Sequence, residues 1–272
     1  MNHRSAGDAR CPAVLLLHGF MGSSADWLTV TAALEAHFRC IVVDLPGHGA
    51  STGLPSGAYT IEGAARALLD LLDDLGAERP VIAGYSMGGR LALYLALRHS
   101  DRLSGLFLES VSPGLKDAEE RAARRAADGE SATRLEGGDF ETFLRDWYRQ
   151  PLFAPLTRDD ELLRRTLEAR RKNDPGELAK SLRGMGTGSQ PSLWEELPDL
   201  RVPALAVTGE LDEKFVGISR RMKRACPRIR TAIVPSVGHN VRVEAPAAYL
   251  HLLRTFLDGH QFKRAPYNPH HD

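Results

Sequence analysis

Short apolar runs alternate with longer stretches of helical periodicity along this chain. The runs at 13–17, 40–44, 81–84, 103–109, 202–208 and 229–235 are almost wholly apolar, as strands buried on both faces of a sheet are. Between the second and third runs, 60–75 sets Ile61, Ala64, Ala65, Leu68, Leu72 and Leu75 on one face of a helix. Thr60 suits its N-cap and Gly76 its C-terminal stop. Strand and helix patterns in alternation predict an α/β fold, a mostly parallel central sheet flanked by helices.

The alternation stops at about Ser112 and resumes near Leu197. The stretch between has helical composition and no good strand. It predicts a helical cap at 112–197 inserted into a core made of 1–111 and 198–260, with 261–272 as a polar tail. From Ser112 to Arg183 it holds 15 basic and 15 acidic residues, a balance that ordinary solvated helices would also show.

Charge and composition narrow the function classes. The chain has 272 residues, 35 basic and 35 acidic, so it lacks the basic excess of a protein that grips nucleic-acid phosphates. Its 43% hydrophobic content is enough to build a core. Cys11, Cys40 and Cys226 are widely spaced and form no C-x-x-C pair, which argues against a disulfide framework or a cysteine zinc site. No apolar stretch reaches the length of a membrane span, and no signal peptide is apparent. The expected setting is cytoplasmic, with no membrane and no obligate protein partner. His3, His260, His270 and His271 lie near the ends and are given no function.

The sharpest motif is Gly84-Tyr85-Ser86-Met87-Gly88, a G-x-S-x-G pattern between an apolar run and an Ala/Leu-rich helix that continues to about His99. A tight strand-to-helix turn there would hold the Ser86 hydroxyl out at the top of the sheet, at the positive end of the helix. An acid and then a histidine should follow in the chain. Asp212 comes after the run at 202–208 and His239 after that at 229–235. Both fall at carboxyl ends of strands, where α/β sheets assemble their sites. Glu210 and Glu213 are rival acids. Early in the chain, Leu17-His18-Gly19-Phe20 can supply the backbone N–H of Phe20 to an oxyanion hole, with that of Met87 as its partner. His18 and His48 read as turn-stabilising residues.

These motifs resemble the α/β-hydrolase superfamily over nearly the whole chain. Only a dozen residues precede the first strong strand, so the leading antiparallel hairpin is expected to be short or missing. Within the cap, Ser112-Pro113-Gly114-Leu115, Glu119-Glu120-Arg121 and Asp146-Trp147-Tyr148, with Gln150-Pro151-Leu152-Phe153, resemble the MenH family. Those enzymes are the 2-succinyl-6-hydroxy-2,4-cyclohexadiene-1-carboxylate synthases of menaquinone biosynthesis. Lys116 stands where the family often carries a glutamine.

The resemblance implies a cofactor-free, metal-free lyase that eliminates pyruvate from a cyclohexene polycarboxylate. His239, held by Asp212, would make the Ser86 oxygen the general base. A polycarboxylate substrate calls for guanidinium and ammonium groups. Arg90, one helical turn after Ser86, Arg124 and Lys214 are the candidates, with Tyr85, Trp147 and Tyr148 as aromatic walls. Arg121 and Arg125 read as a solvated helix face. These cations are expected to converge on one cavity while the acids lie elsewhere. The rival readings are a serine esterase or carbon–carbon bond hydrolase with Ser86 as covalent nucleophile, and a non-catalytic receptor on the same scaffold.

Overall fold

The computed structural model describes residues 1–259. His260, His270, His271 and the polar tail expected at 261–272 lie outside the described residues. One sheet runs through the molecule, built from β1 (His3–Ala6), β2 (Ala13–Leu17), β3 (Arg39–Val43), β4 (Val81–Tyr85), β5 (Gly105–Glu109), β6 (Ala204–Gly209) and β7 (Ile229–Val234). Its order is β1-β3-β2-β4-β5-β6-β7. β1 lies antiparallel to β3, with His3 opposite Val43, and every other pairing is parallel.

The leading element is short, as expected, and β7 corrects the sequence reading. The leading hairpin reduces to the single strand β1, whose His-Arg-Ser-Ala sequence carries no apolar signal because it sits half-exposed at the sheet edge. At the opposite edge β7 is not buried on both faces: Arg230 and Ile233 are exposed, and only its ends, Ile229 and Val234, are buried. In the run at 202–208 the strand begins at Ala204, after Pro203, which has no N–H to donate but whose carbonyl accepts from the Leu106 N–H at 3.0 Å.

The helices are α1 (Leu28–Leu34), α2 (Ile61–Asp74), α3 (Met87–Arg98), α4 (Ala118–Gly137), α5 (Phe140–Tyr148), α6 (Asp160–Arg170), α7 (Pro175–Met185), α8 (Glu213–Ala225), α9 (Val241–Glu244) and α10 (Pro246–Asp258). Among the described residues no helix is long and apolar enough to cross a membrane. In α2, the Thr60 hydroxyl accepts from the Gly63 N–H at 3.0 Å, and Gly76 ends the turn at φ +57°.

Alternate residues of each inner strand feed two cores. Leu15, Leu17, Ile82, Leu106 and Leu108 pack against α2, α3 and α8 on one face. Val14, Leu16, Ala83, Phe107 and Val207 meet α1 and α10 on the other. Burying such side chains is worth about 1.5–3 kcal/mol each, so the sheet is a stiff platform for whatever its strand ends carry.

Helices α4 to α7 fill the interval between β5 and β6, with no strand among the described residues there. Each begins at an aspartate whose carboxylate accepts a backbone N–H: Asp117 from Glu120, Asp139 from Thr142, Asp159 from Leu162 and Asp174 from Glu177. Their inner faces form an apolar cluster of their own, including Leu135, Phe143, Leu144, Leu178 and Leu182. Met21, from the loop after β2, is buried in that cluster and ties it to the sheet.

Candidate active site

Ser86 occupies the turn between β4 and α3 at φ +48°, a conformation L-residues rarely adopt. The crossing that produces it leaves no room for side chains. A Cβ on Gly84 would stand 2.6 Å from the Gly89 Cα, and one on Gly88 would stand 2.5 Å from the carbonyl oxygens of Leu17 and His18. Met21, Ser110 and Ser236 also have positive φ and lie in loops after β2, β5 and β7. Strain is thus concentrated at the strand ends that build the site.

His239 reaches across from the loop after β7. Its Nε2 lies 3.4 Å from the Ser86 Oγ, and its Nδ1 is 2.6 Å from Asp212 Oδ2. The imidazole is 2% exposed, with Phe215 edge-on at 4.7 Å and Tyr85 tilted at 5.5 Å. The rival acids go elsewhere: Glu210 accepts from the Ser236 N–H, and Glu213 occupies the first turn of α8. Three side chains fix the histidine loop. Ser110 donates to the His239 carbonyl at 2.8 Å, Glu109 accepts from the Arg242 N–H at 2.9 Å, and Glu244 accepts from Gly238 and Asn240.

The oxyanion candidates bracket Ser86. Met87 opens α3, so its N–H has no partner within the helix. Phe20 lines the cavity one residue beyond Gly19, where a Cβ would stand 2.6 Å from the Tyr85 ring. His18 is buried and structural: its Nε2 accepts from the Leu45 N–H at 2.9 Å and its Nδ1 donates to the Gly19 carbonyl at 2.7 Å. His48 is equally buried, with Nδ1 3.1 Å from the Pro46 carbonyl. Burial pushes its pKa down to about 3, with His18 adding to the effect.

Above Ser86 opens a cavity of about 1150 Å³, walled by the sheet ends on one side and by α4 to α7 on the other. All six predicted binding residues line it: Tyr85, Arg90, Arg124, Trp147, Tyr148 and Lys214. Their settings differ. Arg90 is buried, and burial pulls its pKa down to about 10, with Arg124 adding to the shift. Its Nη1 donates to Gln190 Oε1 at 2.9 Å. Arg124 is 42% exposed and donates to Asp128 Oδ1 at 2.8 Å. Lys214 is exposed, 6.0 Å from the Phe215 ring centroid. Trp147 stacks on Phe143, while the Tyr148 hydroxyl accepts from Arg170 Nε at 3.2 Å. Arg121 donates to the carbonyls of Leu115 and Lys116, and Arg125 to that of Gly188. Neither is merely solvated.

The expectation that acids lie away from the cavity is corrected. Asp26, Asp117, Glu120, Asp212 and Glu213 all share its wall with the cations. Several are already engaged: Asp26 with Arg170, Asp212 with His239, and Asp117 at the start of α4. Sequence reasoning missed Arg170 and Arg221 in the wall and named Lys116, also there, without giving it a role. It also missed the buried pair of Arg170 with Asp26 at 2.7 Å and that of Arg242 with Glu109 at 3.8 Å. Asp128 sits four residues after Arg124, a helical spacing that signals a pair. The others join residues 133 or more positions apart and leave no local trace. Among the described residues no three His, Cys, Asp or Glu side chains converge as metal ligands would.

A profile of the alpha/beta hydrolase fold matches residues 12–246. The chain is 39% identical to a putative 2-succinyl-6-hydroxy-2,4-cyclohexadiene-1-carboxylate synthase of Bacillus subtilis, covering 90% of each. It is 35% identical to the 2-succinyl-6-hydroxy-2,4-cyclohexadiene-1-carboxylate synthase of Salmonella heidelberg, covering 92% of this chain and 96% of that one. Among solved structures it resembles MenH from S. aureus, with a TM-score of 0.90, 31% identity, and coverage of 94% and 97%.

Proposed function

The chain belongs to the alpha/beta hydrolase fold family, and within it to the 2-succinyl-6-hydroxy-2,4-cyclohexadiene-1-carboxylate synthases, and from that premise we propose that it is a carbon–oxygen lyase of menaquinone biosynthesis. Its substrate is 2-succinyl-5-enolpyruvyl-6-hydroxy-3-cyclohexene-1-carboxylate, and pyruvate is the leaving product. His239, oriented by Asp212, takes the Ser86 proton, and the seryl oxygen removes the ring proton beside the succinyl ketone. The electron pair of that C–H bond moves through the ring double bond and expels the enolpyruvyl oxygen, leaving the 2,4-diene. Charge accumulating on the ketone oxygen meets the N–H groups of Phe20 and Met87. One such donor is worth about 3 kcal/mol in a transition state.

Arg90, Arg124 and Lys214 hold the carboxylates, and Tyr85, Trp147 and Tyr148 shape the apolar wall around the ring. Residues 112–197 act as a cap that encloses the reaction. The observation carrying this reading is the joint one: a Ser–His–Asp relay beneath a cavity whose wall contains a buried guanidinium, Arg90, bonded to a neutral amide. A buried cation demands an anion, and the proposed substrate brings carboxylates. We place the enzyme in the cytoplasm, a setting that its three free cysteines support, with a small polycarboxylate as its partner.

The test is pyruvate release from the enolpyruvyl substrate. Wild type should turn it over and Ser86→Ala should not. Absence of pyruvate with wild type would refute the assignment. The same relay would also serve an esterase through a covalent acyl-serine, and a burst of product from an activated ester with a trapped adduct would favour that chemistry instead.

A further inference from the structure

Arg90 is buried, yet no carboxylate pairs with it among the described residues; its partner is the amide oxygen of Gln190. Asp128, the nearby acid, is occupied on both oxygens. One accepts from Arg124 Nε at 2.8 Å and the other from the Gly188 N–H at 3.1 Å. Gln190 is itself 1% exposed and lies in the segment after α7, anchored by its N–H to the Gly186 carbonyl at 3.1 Å. Its Nε2 is buried without a partner. A hydrocarbon of equal size would avoid that orphaned donor, so core packing alone does not account for an amide here.

We propose that Gln190 is a positioning residue that holds the Arg90 guanidinium against the cavity while leaving its charge uncompensated for a carboxylate of the substrate. The alternatives at this position show why the residue type matters. A glutamate would make the same contact but neutralise the guanidinium with a built-in ion pair. A methionine would leave the charge but let the planar fork turn. Only a neutral acceptor does both jobs, fixing the fork for bidentate binding and keeping the site empty of anion. The inference rests on the reading that Arg90 receives substrate carboxylate.

Gln190→Glu and Gln190→Met in the full-length protein test it, with pyruvate release, calorimetric binding of succinate as a simple dicarboxylate probe, and thermal melting as readouts. Gln190→Glu should raise KM and weaken succinate by about tenfold or more, the scale of one lost charged contact. Its kcat should hold and its melting temperature should not fall, because the new carboxylate gains a buried partner. Gln190→Met should weaken both affinities less. In an Arg90→Gln background, Gln190→Glu should change neither affinity, which a double-mutant cycle reads directly. Unchanged KM and succinate affinity in Gln190→Glu would overturn the proposal. So would equal losses of kcat and melting temperature in both variants that persist without Arg90, since those mark packing alone. If wild type releases no pyruvate but succinate binding still depends on Gln190 through Arg90, only the reaction assignment falls.

Discussion

The cavity has two unlike walls. On the sheet side, Ser86, Asp212 and His239 sit at strand ends, Ser86 partly exposed to the cavity and the other two buried, with the histidine loop fixed by hydrogen bonds from its neighbours. Facing them, α4 and α6 bring Arg124 and Arg170 to the cavity, and α4 to α7 are laced with exposed pairs such as Arg134 with Asp146 and Arg171 with Glu141. Arg90 and Lys214 reach the cavity from α3 and α8. The difference separates two tasks. Proton transfer tolerates little misplacement, so its groups stand on the stiff platform of the sheet. On the proposed reading, binding of a flexible polycarboxylate needs reach and charge, which Arg124 and Lys214 supply from exposed positions and Arg90 from a buried one.

The sharpest way to break this comparison is to remove one group from each wall. Ser86→Ala should lower kcat for pyruvate release by about 10²–10⁴-fold, the usual worth of a positioned general base, while the protein still melts cooperatively. Arg124→Ala should act mainly on KM, since its half-exposed guanidinium is proposed to hold a substrate carboxylate and has no part in the proton transfer. If Arg124→Ala lowered kcat as far as Ser86→Ala, the two walls would not be divided by task.

Acid pH should find the sheet side first. His48 packs behind the oxyanion loop, its ring 5.6 Å from that of Phe20, and stays neutral because its pKa is pushed down to about 3. An unfolded histidine titrates near 6.5. Between those values the unfolded chain gains a proton that the folded one refuses, so stability is fully present above pH 6.5 and is lost as pH falls toward 3. The full loss is on the order of 5 kcal/mol for this one group. Glu109 works in the opposite direction, because burial raises its pKa to about 7. Its folded form keeps a proton that the unfolded form releases, so it withdraws stability as pH rises from 4.5 to 7. Urea melts across pH 4–8 should show a shallower acid slope in His48→Gln. An unchanged slope would remove His48 from the account.

The sequence was most legible where chemistry and local pattern coincide. Val81–Tyr85 followed by Ser86 displays a strand, a turn and the candidate serine within ten residues, and Asp212 and His239 follow strands in the order expected. The α/β architecture was readable from the same alternation. What escaped reading depends on the fold bringing distant residues together. β1 is polar because one face of an edge strand meets water. Gln190 meets Arg90 across 100 positions, and Asp26 meets Arg170 across 144. A lone glutamine in a Gly- and Ser-rich segment carries no motif, and its value appears only once Arg90 is known to be buried.

The Arg170–Asp26 pair sharpens the comparison, because it joins the walls. Arg170 ends α6, Asp26 follows the oxyanion loop, and the two side chains are 6% and 9% exposed. Burial opposes both charges, yet each partner holds the other ionised, with Arg242 assisting at Asp26. Asp26→Ala would strand a guanidinium away from water and should destabilise the fold by about 3–5 kcal/mol. Replacing both residues by a Leu–Met pair of similar bulk should recover much of that loss, because the stranded charge goes with its partner. Equal destabilisation in the single and double variants would show that packing, not charge, joins the walls here.

At the far end of the scale stands Arg164 on the outer face of α6, which pairs with both Glu161 and Glu168 at 2.6 Å. The contacts are shorter than the Arg170–Asp26 pair, yet all three side chains are more than half exposed. Water and salt screen such charges, and ordering long side chains offsets the attraction. Arg164→Ala should therefore leave the melting temperature, KM and kcat unchanged at physiological salt. A clear drop in melting temperature would mean that the helical wall depends on its surface ion pairs. The contrast between a platform held by burial and a wall held mainly by its own apolar cluster would then need redrawing.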